Sequence, residues 1–571
     1  MARYNVRTQL DRLEEAMRAF GTPKGPQVHN LLLQLGRHNF GEPESLIRFH
    51  EALLFIRAYP QNPEAFQVAE DLLASFAARM ARIYQEGAEP ALFDAIENSG
   101  IAGTTLHGTY SYGIARWLTT RRFEDVDVDW ARLQKTERLG YVLPQLLPLL
   151  EEDALVEQNV PYQTWLRSAR RGPKNELAFL IRGFERSGLS ERQKTDQYDL
   201  LELWIRWALR RSKASRTENR LRPREVFYHP GPLVRRADVS LEKEMLAPLR
   251  LQPVSLGPAR TIIDMCRDAT TVRYRELYGI TYPDPSTVVR ADVGRGVSIY
   301  LWGLPRERRL PLRAYHAGFT LKNGVPVNYI EGISLFERTE LGFNTFYTFR
   351  EGESAWIYAQ AARALHQLTG VSCISLDPYQ IGFNNDEAIQ SGAFWFYRKL
   401  GFRPTRSDLA KLTETQEKKI EADRGYRTPA RILHRLSEAP MIYELPRHTL
   451  GPGDWDRFRI RNLGLAVQRR MASDFDGDAQ QIRTASVREV ARAIGVPADS
   501  KDVEQMRDWG NLALVLGLIP DLADWTREEK RRLAAIIRAK ADKSDTEYVR
   551  LLQKHLRLRK AMIKIGSSPR E

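Results

Sequence analysis

Hydrophobic positions along the first 250 residues recur at the spacing of one face of an α-helix. Three such stretches stand at Leu10–Phe20, Leu46–Tyr59 and Ala65–Tyr84, and the turn Pro60–Pro63 separates the last two. No fixed period links these stretches, so the pattern does not indicate a repeat array. We therefore predict a mostly α-helical N-terminal region over residues 1–250.

The pattern changes after about residue 255, where apolar runs rich in β-branched and aromatic residues indicate strands. Asn323-Gly324 between two of these runs is a hairpin signal. The predicted strands are Thr287–Ala291, Val297–Trp302, Leu312–Leu321, Val325–Phe336, Gly342–Phe349 and Val371–Leu376, and the predicted helices among them are Thr261–Tyr278, Glu353–Leu368 and Ala388–Leu400. Residues 406–571 return to helical spacing. The predicted fold class is α+β, with a mixed sheet and flanking helices over 251–405 between two mostly α-helical regions.

One segment of this central region, from Gly342 to Pro404, carries a recognisable signature. Phe396-Tyr397-Arg398-Lys399-Leu400-Gly401-Phe402 follows a predicted strand, loop and helix. In this order the segment resembles the GNAT superfamily of N-acyltransferases, and the resemblance covers about residues 255–405. It implies a GNAT-like sheet and transfer of an acyl group from acetyl-CoA or another acyl-CoA to an amine.

A strand end that opens into a helix N-terminus offers unpaired N–H groups to a diphosphate. The loop Phe349–Ala355 is that place here. The family motif is Arg/Gln-x-x-Gly-x-Gly/Ala, and this chain reads Arg350-Glu351-Gly352-Glu353-Ser354-Ala355, with its first glycine one residue early. The resemblance therefore implies that coenzyme A is held by Arg350, Gly352, Ser354 and Ala355. Asn384 is a further candidate, because Gln390 stands where the family usually has an asparagine.

Acyl transfer also needs an acid for the leaving thiolate and a base for the attacking amine. The resemblance implies that Tyr397 is the acid. The candidates for the base are Glu331, Glu337 and His316 on predicted strands and Asp377 at the end of another strand. An Asx turn before Pro378 would equally explain Asp377.

The composition indicates the net charge of the protein and its expected cellular compartment. The 571 residues include 86 Lys and Arg against 72 Asp and Glu, a net charge of +14 that favours polyanionic partners such as RNA. Basic residues concentrate in 206–224, interpreted as an exposed linker, and in the tail 550–571. Two cysteines, no apolar leader and no apolar run of about 18 residues favour a cytoplasmic protein without a membrane span.

A weaker signal combines the turn Gly108–Ser111 with Asp125, Asp127 and Asp129 on one face of a short strand. Paired aspartates can bind Mg²⁺ for nucleotidyl transfer. The match is loose, and an acidic surface loop explains it as well, so we predict no metal site.

Three functions remain open from the sequence. The first is an acyl-CoA-dependent N-acyltransferase with an unknown amine acceptor. The second is a non-catalytic scaffold or nucleic-acid-binding protein with a degenerate GNAT-like domain, favoured by Glu351 and Glu353, which would repel a diphosphate. The third is an aminoacyl-tRNA-dependent transferase. The enzyme requires an open cleft between the strands ending at Phe349 and Leu376, which Trp356 or Phe383 would fill in a scaffold.

Overall fold

The computed structural model describes residues 6–21, 25–148, 160–170, 175–210, 213–498, 502–541 and 544–567. It contains a nine-stranded sheet and a three-stranded sheet with many helices, so the mixed α+β class is confirmed. The chain forms two compact units: unit 1 is Met1–Pro232, Arg260–Tyr282 and Lys322–Pro326, and unit 2 is Leu233–Ala259, Pro283–Leu321 and Val327–Glu571. Among the helices of the described residues, none has the length and apolarity to span a membrane.

Unit 1 is mainly helical. Its helices α1–α10 are Val6–Arg18, Gly25–Gly36, Pro43–Ala58, Pro63–Ala74, Phe76–Gln85, Tyr112–Arg121, Leu139–Leu146, Tyr162–Ser168, Glu176–Arg186 and Glu191–Leu200. The predicted helix Ala65–Tyr84 is interrupted at Ser75, and its first part is capped by Asn62, whose Oδ1 accepts the N–H of Ala65 at 2.8 Å. The helical prediction for Ala65–Tyr84 is therefore confirmed, with a break that the periodicity did not reveal.

A small sheet lies within this helical unit. Its strands are β1 (Thr105–Thr109), β2 (Val126–Val128) and β3 (Trp204–Ala208), and β3 lies between the other two, antiparallel to both. Ile205 and Trp207 of β3 are buried, and Arg206 between them is exposed. The sequence analysis missed β3, although this alternation is the signal of a half-buried strand.

The basic stretch 206–224 differs from the exposed linker we expected. Arg216 is buried and forms an ion pair with Glu51 of α3, and Arg220 forms one with Glu70 of α4. A buried arginine persists only when its charge is paired and hydrogen-bonded. The middle of this stretch is therefore part of the interior of unit 1.

Unit 2 is built on the nine-stranded sheet. Its strands are β4 (Leu251–Pro253), β5 (Val289–Gly294), β6 (Val297–Trp302), β7 (Ala314–Lys322), β8 (Val325–Leu335), β9 (Arg338–Thr345), β10 (Cys373–Leu376), β11 (Arg403–Pro404) and β12 (Met441–Glu444), in the spatial order β11-β12-β10-β9-β8-β7-β6-β5-β4. The β7–β8 turn has Asn323 and Gly324 at positive φ (48° and 78°), as the hairpin signal predicted.

Two further helices lie wholly or mostly in the Arg260–Tyr282 part of unit 1: α12 (Leu256–Thr271) and α13 (Tyr278–Thr281). The helices of unit 2 are α11 (Leu241–Leu246), α14 (Ser354–Thr369), α15 (Pro378–Ile381), α16 (Asp386–Gln390), α17 (Ala393–Arg398), α18 (Ser407–Ala422), α19 (Ala430–Leu436), α20 (Ile460–Phe475), α21 (Ala479–Ile494), α22 (Val503–Leu516), α23 (Arg527–Lys540), α24 (Asp545–Gln553) and α25 (Leu556–Gly566). The predicted helix Ala388–Leu400 is split into α16 and α17 at Gly392, which has φ of 69°. Strand β12 lies in the C-terminal region predicted as helical.

The turn between β8 and β9 connects distant parts of unit 2. The carboxylate of Glu337 accepts hydrogen bonds from Arg559 Nε (2.8 Å) and from Trp455 Nε1 (2.7 Å), and all three side chains are buried. The carbonyl of Glu337 accepts the N–H groups of Ser372 (2.9 Å) and Cys373 (3.0 Å). One residue thus links the β8–β9 turn to the start of β10 and to the basic tail.

Replacing Glu337 with alanine is expected to lower the free energy of unfolding by about 3–5 kcal/mol, because it leaves the buried Arg559 guanidinium without its main carboxylate. Urea denaturation followed by tryptophan fluorescence measures the loss. Asp238→Ala is the control, since Asp238 pairs with Arg235 at an exposed site and its loss should not move the midpoint. A Glu337→Ala protein as stable as the control variant would contradict this role.

Two buried histidines predict acid sensitivity. Burial lowers the pKa of His50 and of His316 to about 4, and their Nε2 atoms contact the hydroxyls of Thr217 (2.8 Å) and Thr546 (3.1 Å). Each folded-state pKa lies below the unfolded value of 6.5. The contribution of each neutral histidine to the free energy of unfolding is therefore fully present above pH 6.5. It is lost as the pH falls toward 4, by up to about 3 kcal/mol per histidine.

Replacing either histidine with glutamine should flatten the dependence of the unfolding free energy on pH between 6.5 and 4, even where the variant is less stable at neutral pH. Urea denaturation at several pH values measures the slope. His434→Gln, at an exposed site, is the control and should keep the wild-type slope. If the variants at His50 and His316 kept the wild-type slope, as the control should, the buried histidines would not be the cause of the acid sensitivity.

Candidate functional site

Strands β9 and β10 of unit 2 are parallel neighbours that separate along their length. Their pairing covers Arg338–Glu340 and Cys373–Ser375. Strand β9 continues to Thr345 while paired with β8 on its other side, and β10 ends at Leu376. Among the described residues, no strand pairs with the β10 side of Leu341–Thr345, so an open strand edge begins where the two strands part.

The loop after β9 leads into the N-terminus of α14. The predicted strand to Phe349 ends earlier, at Thr345, and Tyr347–Phe349 forms a 3-10 turn. The N–H of Gly352 is bonded to the carbonyl of Phe349 (3.0 Å). The N–H groups of Ser354 and Ala355 belong to the first turn of the helix, which has no intrahelical acceptors for them. Two of the four predicted cofactor residues of this loop, Ser354 and Ala355, therefore have N–H groups without an intrahelical acceptor.

Glu353 at this helix start is fully buried. Its carboxylate forms an ion pair with Arg295 (Nε to Oε1, 2.8 Å) and accepts the N–H of Val234 (3.1 Å). Arg295 is 30% exposed and lies 6.0 Å from the ring of Trp356. The negative charge of Glu353 is thus neutralised locally, and Trp356 packs beside the arginine.

Arg350, the predicted phosphate ligand, is held at the outer side of the same loop. Its guanidinium forms an ion pair with Glu387 of α16 and lies 4.0 Å from the ring centroid of Tyr347. Its Nε donates to the carbonyl of Thr345 at 3.4 Å. The pair is about one-third exposed, so a stronger anion can compete with Glu387 for this side chain.

Tyr397, the predicted acid, is a residue of α17, and its buried side chain packs against α14. Its ring is 5.4 Å from that of Tyr358, and its oxygen accepts a hydrogen bond from the side-chain amide of Gln380. Burial raises the pKa of Tyr397 above its ordinary value, so the phenol remains protonated at neutral pH. It is in contact with the helix that follows the open strand edge.

The base candidates differ in their surroundings. Glu331 accepts a hydrogen bond from the hydroxyl of Tyr315, and burial raises the pKa of its carboxyl above its ordinary value. Asp377 is exposed, and its Oδ1 accepts the N–H of Tyr379 (2.8 Å), which is the Asx turn expected as the alternative. Glu337 and His316 are buried with Arg559 and Thr546 as partners.

Asn384 lies apart from the helix start. It is exposed, has φ of 52°, and lines a shallow groove with Arg431, His434 and Arg435. The structure brings Arg350, Gly352, Ser354 and Ala355 together in one loop. It places Asn384 in another surface groove, on the chain between α15 and α16.

A cavity of about 460 Å³ opens at the carboxyl end of β10. Asp377, Phe383 and Glu340 line it together with Arg338, Arg459 and Arg461. Phe383, one of the two side chains expected to fill the cleft in a scaffold protein, is 43% exposed and forms part of the wall of this cavity. The sequence analysis did not find the three arginines, because they come from β9 and from the start of α20, about 120 residues apart in the chain.

The acidic motif of unit 1 is engaged within the fold. Asp129 Oδ2 contacts His107 Nδ1 at 2.5 Å, and Asp127 Oδ1 accepts the N–H groups of Val128 (2.9 Å) and Leu177 (3.3 Å). Over the part of the chain that the structure describes, no three His, Cys, Asp or Glu side chains converge as metal ligands.

No protein-family model, curated protein or solved structure matches this chain. The features of unit 2 that could bind a ligand are the open edge of β9, the N–H groups at the start of α14 and the cavity after β10.

Replacing Arg350 with alanine is expected to lower the free energy of unfolding by less than about 1 kcal/mol, because its pair with Glu387 is partly solvent-exposed. Thermal and urea denaturation measure this change. A loss comparable to that of Glu337→Ala would mean that Arg350 holds the loop structurally, and the variant would then be unsuitable for testing ligand binding.

Proposed function

We propose that this protein is an acyl-CoA-dependent N-acyltransferase whose central sheet is GNAT-like. The separation of β9 and β10 after Glu340 and Ser375 carries the proposal. An unpaired strand edge offers N–H and C=O groups to an extended ligand that contains amides. The pantetheine arm of coenzyme A is such a ligand, and the edge Leu341–Thr345 leads it from the loop after β9 into the interior.

The order of the remaining strands supports the proposal. Strand β12 lies between β10 and β11 and is antiparallel to both, so β10 and β11 point the same way. Helices α15–α17 connect them, and the signature Phe396–Phe402 joins α17 to β11. The chain thus repeats the strand–helix–strand arrangement of β9–α14–β10 beside the open edge.

The start of α14 supplies the anion-binding elements for a diphosphate. The N–H groups of Ser354 and Ala355 and the positive end of the helix dipole favour a negative charge there. Arg350 adds a cation after giving up Glu387. Glu353 does not oppose binding, because Arg295 already neutralises its carboxylate.

The transfer itself forms a C–N bond and breaks the C–S bond of the thioester. The amine nitrogen attacks the acyl carbon and passes its proton, directly or through water, to the carboxylate of Glu331. Tyr397 gives its phenolic proton to the departing thiolate and recovers a proton from solvent. Asp377 at the cavity mouth is the alternative acceptor of the amine proton.

Acetyl-CoA binding to the full chain, measured by isothermal titration calorimetry, tests the proposal. We expect micromolar binding that Arg350→Ala weakens about tenfold, because one charge-assisted contact is lost. Tyr397→Phe should bind as wild type but release coenzyme A thiol at least about 10²-fold more slowly in the presence of an amine acceptor. Arg470→Ala is the matched control, since Arg470 forms a similar ion pair with Glu489 away from the loop.

Absence of binding at millimolar acetyl-CoA would exclude this function. In that case, RNA binding that weakens with rising salt would favour an aminoacyl-tRNA-dependent transferase or a nucleic-acid scaffold. Equal weakening by Arg350→Ala and Arg470→Ala would mean that the loop is not the binding site.

A further inference from the structure

The cavity at the end of β10 contains an unusual set of arginines. Arg338, Arg459 and Arg461 line it, and none of the three forms an ion pair with a carboxylate of the described residues, although Glu340 acts on the charge of Arg338 and Asp456 on that of Arg459. The other two arginines of the wall are compensated: Arg313 lies 3.9 Å from Glu340, and Arg406 contacts Asp408 and Glu438. The unpaired charges therefore converge on one cavity.

Each of these three guanidinium groups keeps donors for a ligand. Arg338 donates its Nε to Ser375 Oγ at 3.0 Å, and Arg459 donates Nη1 to the carbonyls of Asp456 (3.0 Å) and Phe458 (2.8 Å). Arg461 is exposed and makes no hydrogen bond to the described residues. An arginine has five N–H donors, so most of theirs remain for other acceptors.

The charges of these arginines also act on one another. Burial, and then the positive charges of Arg338 and Arg461, lower the pKa of Arg459. Like charges held together in a partly desolvated site destabilise it unless an anion compensates them. Arg461 lies in the first turn of the 16-residue helix α20, whose dipole adds a positive potential on the same side.

The size of the cavity and its apolar wall limit the ligand to a small organic molecule. Its volume of about 460 Å³ falls in the usual range for small-molecule sites. Ile333, Leu335, Phe383 and Phe458 contribute apolar surface beside the arginines. A polymer phosphate backbone would not need such a wall.

We propose that this cavity binds a small organic anion through its phosphate or carboxylate group, held by Arg338, Arg459 and Arg461, and that this anion is the amine acceptor. The second half of this statement rests on the proposed function, and the first half does not. Along β9, Arg338 and Glu340 lie on one face of the sheet, and Thr339 and Leu341 lie on the other. Gly332 of β8 pairs with Leu341 and faces Leu365 of α14. The cavity therefore lies on the sheet face opposite α14, away from the loop Phe349–Ala355 that is proposed to bind the diphosphate.

This placement suits an acceptor. Glu331 precedes Ile333 by two positions on β8 and so projects to the same face as the cavity wall. It pairs with Gly342, just beyond the point where β9 and β10 part. An amine whose anionic group is held by the arginines would thus lie on the face that carries the proposed base.

Calorimetric titration with inorganic phosphate and, separately, with succinate tests the anion site in the full chain. We expect wild-type binding by at least one probe, lost with rising salt, and weakened about tenfold or more by Arg461→Gln. Arg406→Gln is the matched control, because Arg406 lines the same cavity but is already paired, and it should weaken binding less than about twofold. The probe that binds more tightly identifies the anionic group.

Thermal denaturation provides a second measurement. Without ligand, Arg461→Gln should melt no lower than wild type, because it removes repulsion and no contact; with phosphate or succinate, only proteins that keep Arg461 should gain stability. Coenzyme A release should then be faster with glutamate or phosphoethanolamine than with putrescine, which carries two positive charges.

The outcomes separate the two proposals. No binding of either anion, or equal effects of Arg461→Gln and Arg406→Gln, overturns the anion site even if acetyl-CoA binds. Anion binding that depends on Arg461 without acetyl-CoA binding supports the site and removes the transferase. Faster release of coenzyme A with putrescine overturns the assignment of the anion as acceptor.

Discussion

Unit 2 depends on the turn at Phe336 and Glu337. A carboxylate buried with an arginine is costly to desolvate, and it remains buried only if every partner is in place. Glu337 meets this condition with Arg559 and Trp455, and its carbonyl holds the first N–H groups of β10. The turn therefore determines at the same time where β9 begins, where β10 begins and where the C-terminal helix packs.

The proposed site follows from this arrangement. Because β10 is held to the turn by its first residues, its pairing with β9 starts at Arg338 and Cys373 and extends only through Glu340 and Ser375. Strand β10 ends one residue later, at Leu376, while β9 continues. The open edge of β9 is thus a consequence of a short strand anchored at its beginning.

The same turn positions Arg338. The ring of Trp455 lies 5.7 Å from the Arg338 guanidinium and 5.5 Å from that of Arg559. Glu337 neutralises Arg559, whereas Arg338 forms no ion pair with the residues that the structure describes; its Nε donates to Ser375, and its guanidinium lies near two aromatic rings. One arginine stabilises the fold, and its neighbour remains available to an anion in the cavity.

Local patterns predicted the strands between Val289 and Thr345 because alternation, β-branched residues and the Asn-Gly turn agree there. They did not reveal β12, whose four residues are too few for a periodic signal and whose pairing is with β10, almost 70 residues earlier. The loop residues of the proposed cofactor site were likewise predicted from a motif. Their partners Arg295 and Glu387, and the arginines of the cavity, come from distant segments that no local pattern joins.

The net charge of +14 favoured a polyanionic partner that binds the basic segments. In the folded chain, several basic side chains of these segments form ion pairs with acidic side chains. In unit 1, Arg216 forms an ion pair with Glu51, and Arg220 forms one with Glu70. A cavity of about 1160 Å³ in the same unit is lined by equal numbers of acidic and basic side chains. In the tail, Arg557 pairs with Asp521 and Glu529. What distinguishes a binding site from a basic surface is a group of arginines that converge without forming ion pairs. Among the described residues, Arg338, Arg459 and Arg461 meet that criterion at the end of β10, although Glu340, Asp377 and Glu438 also line the cavity.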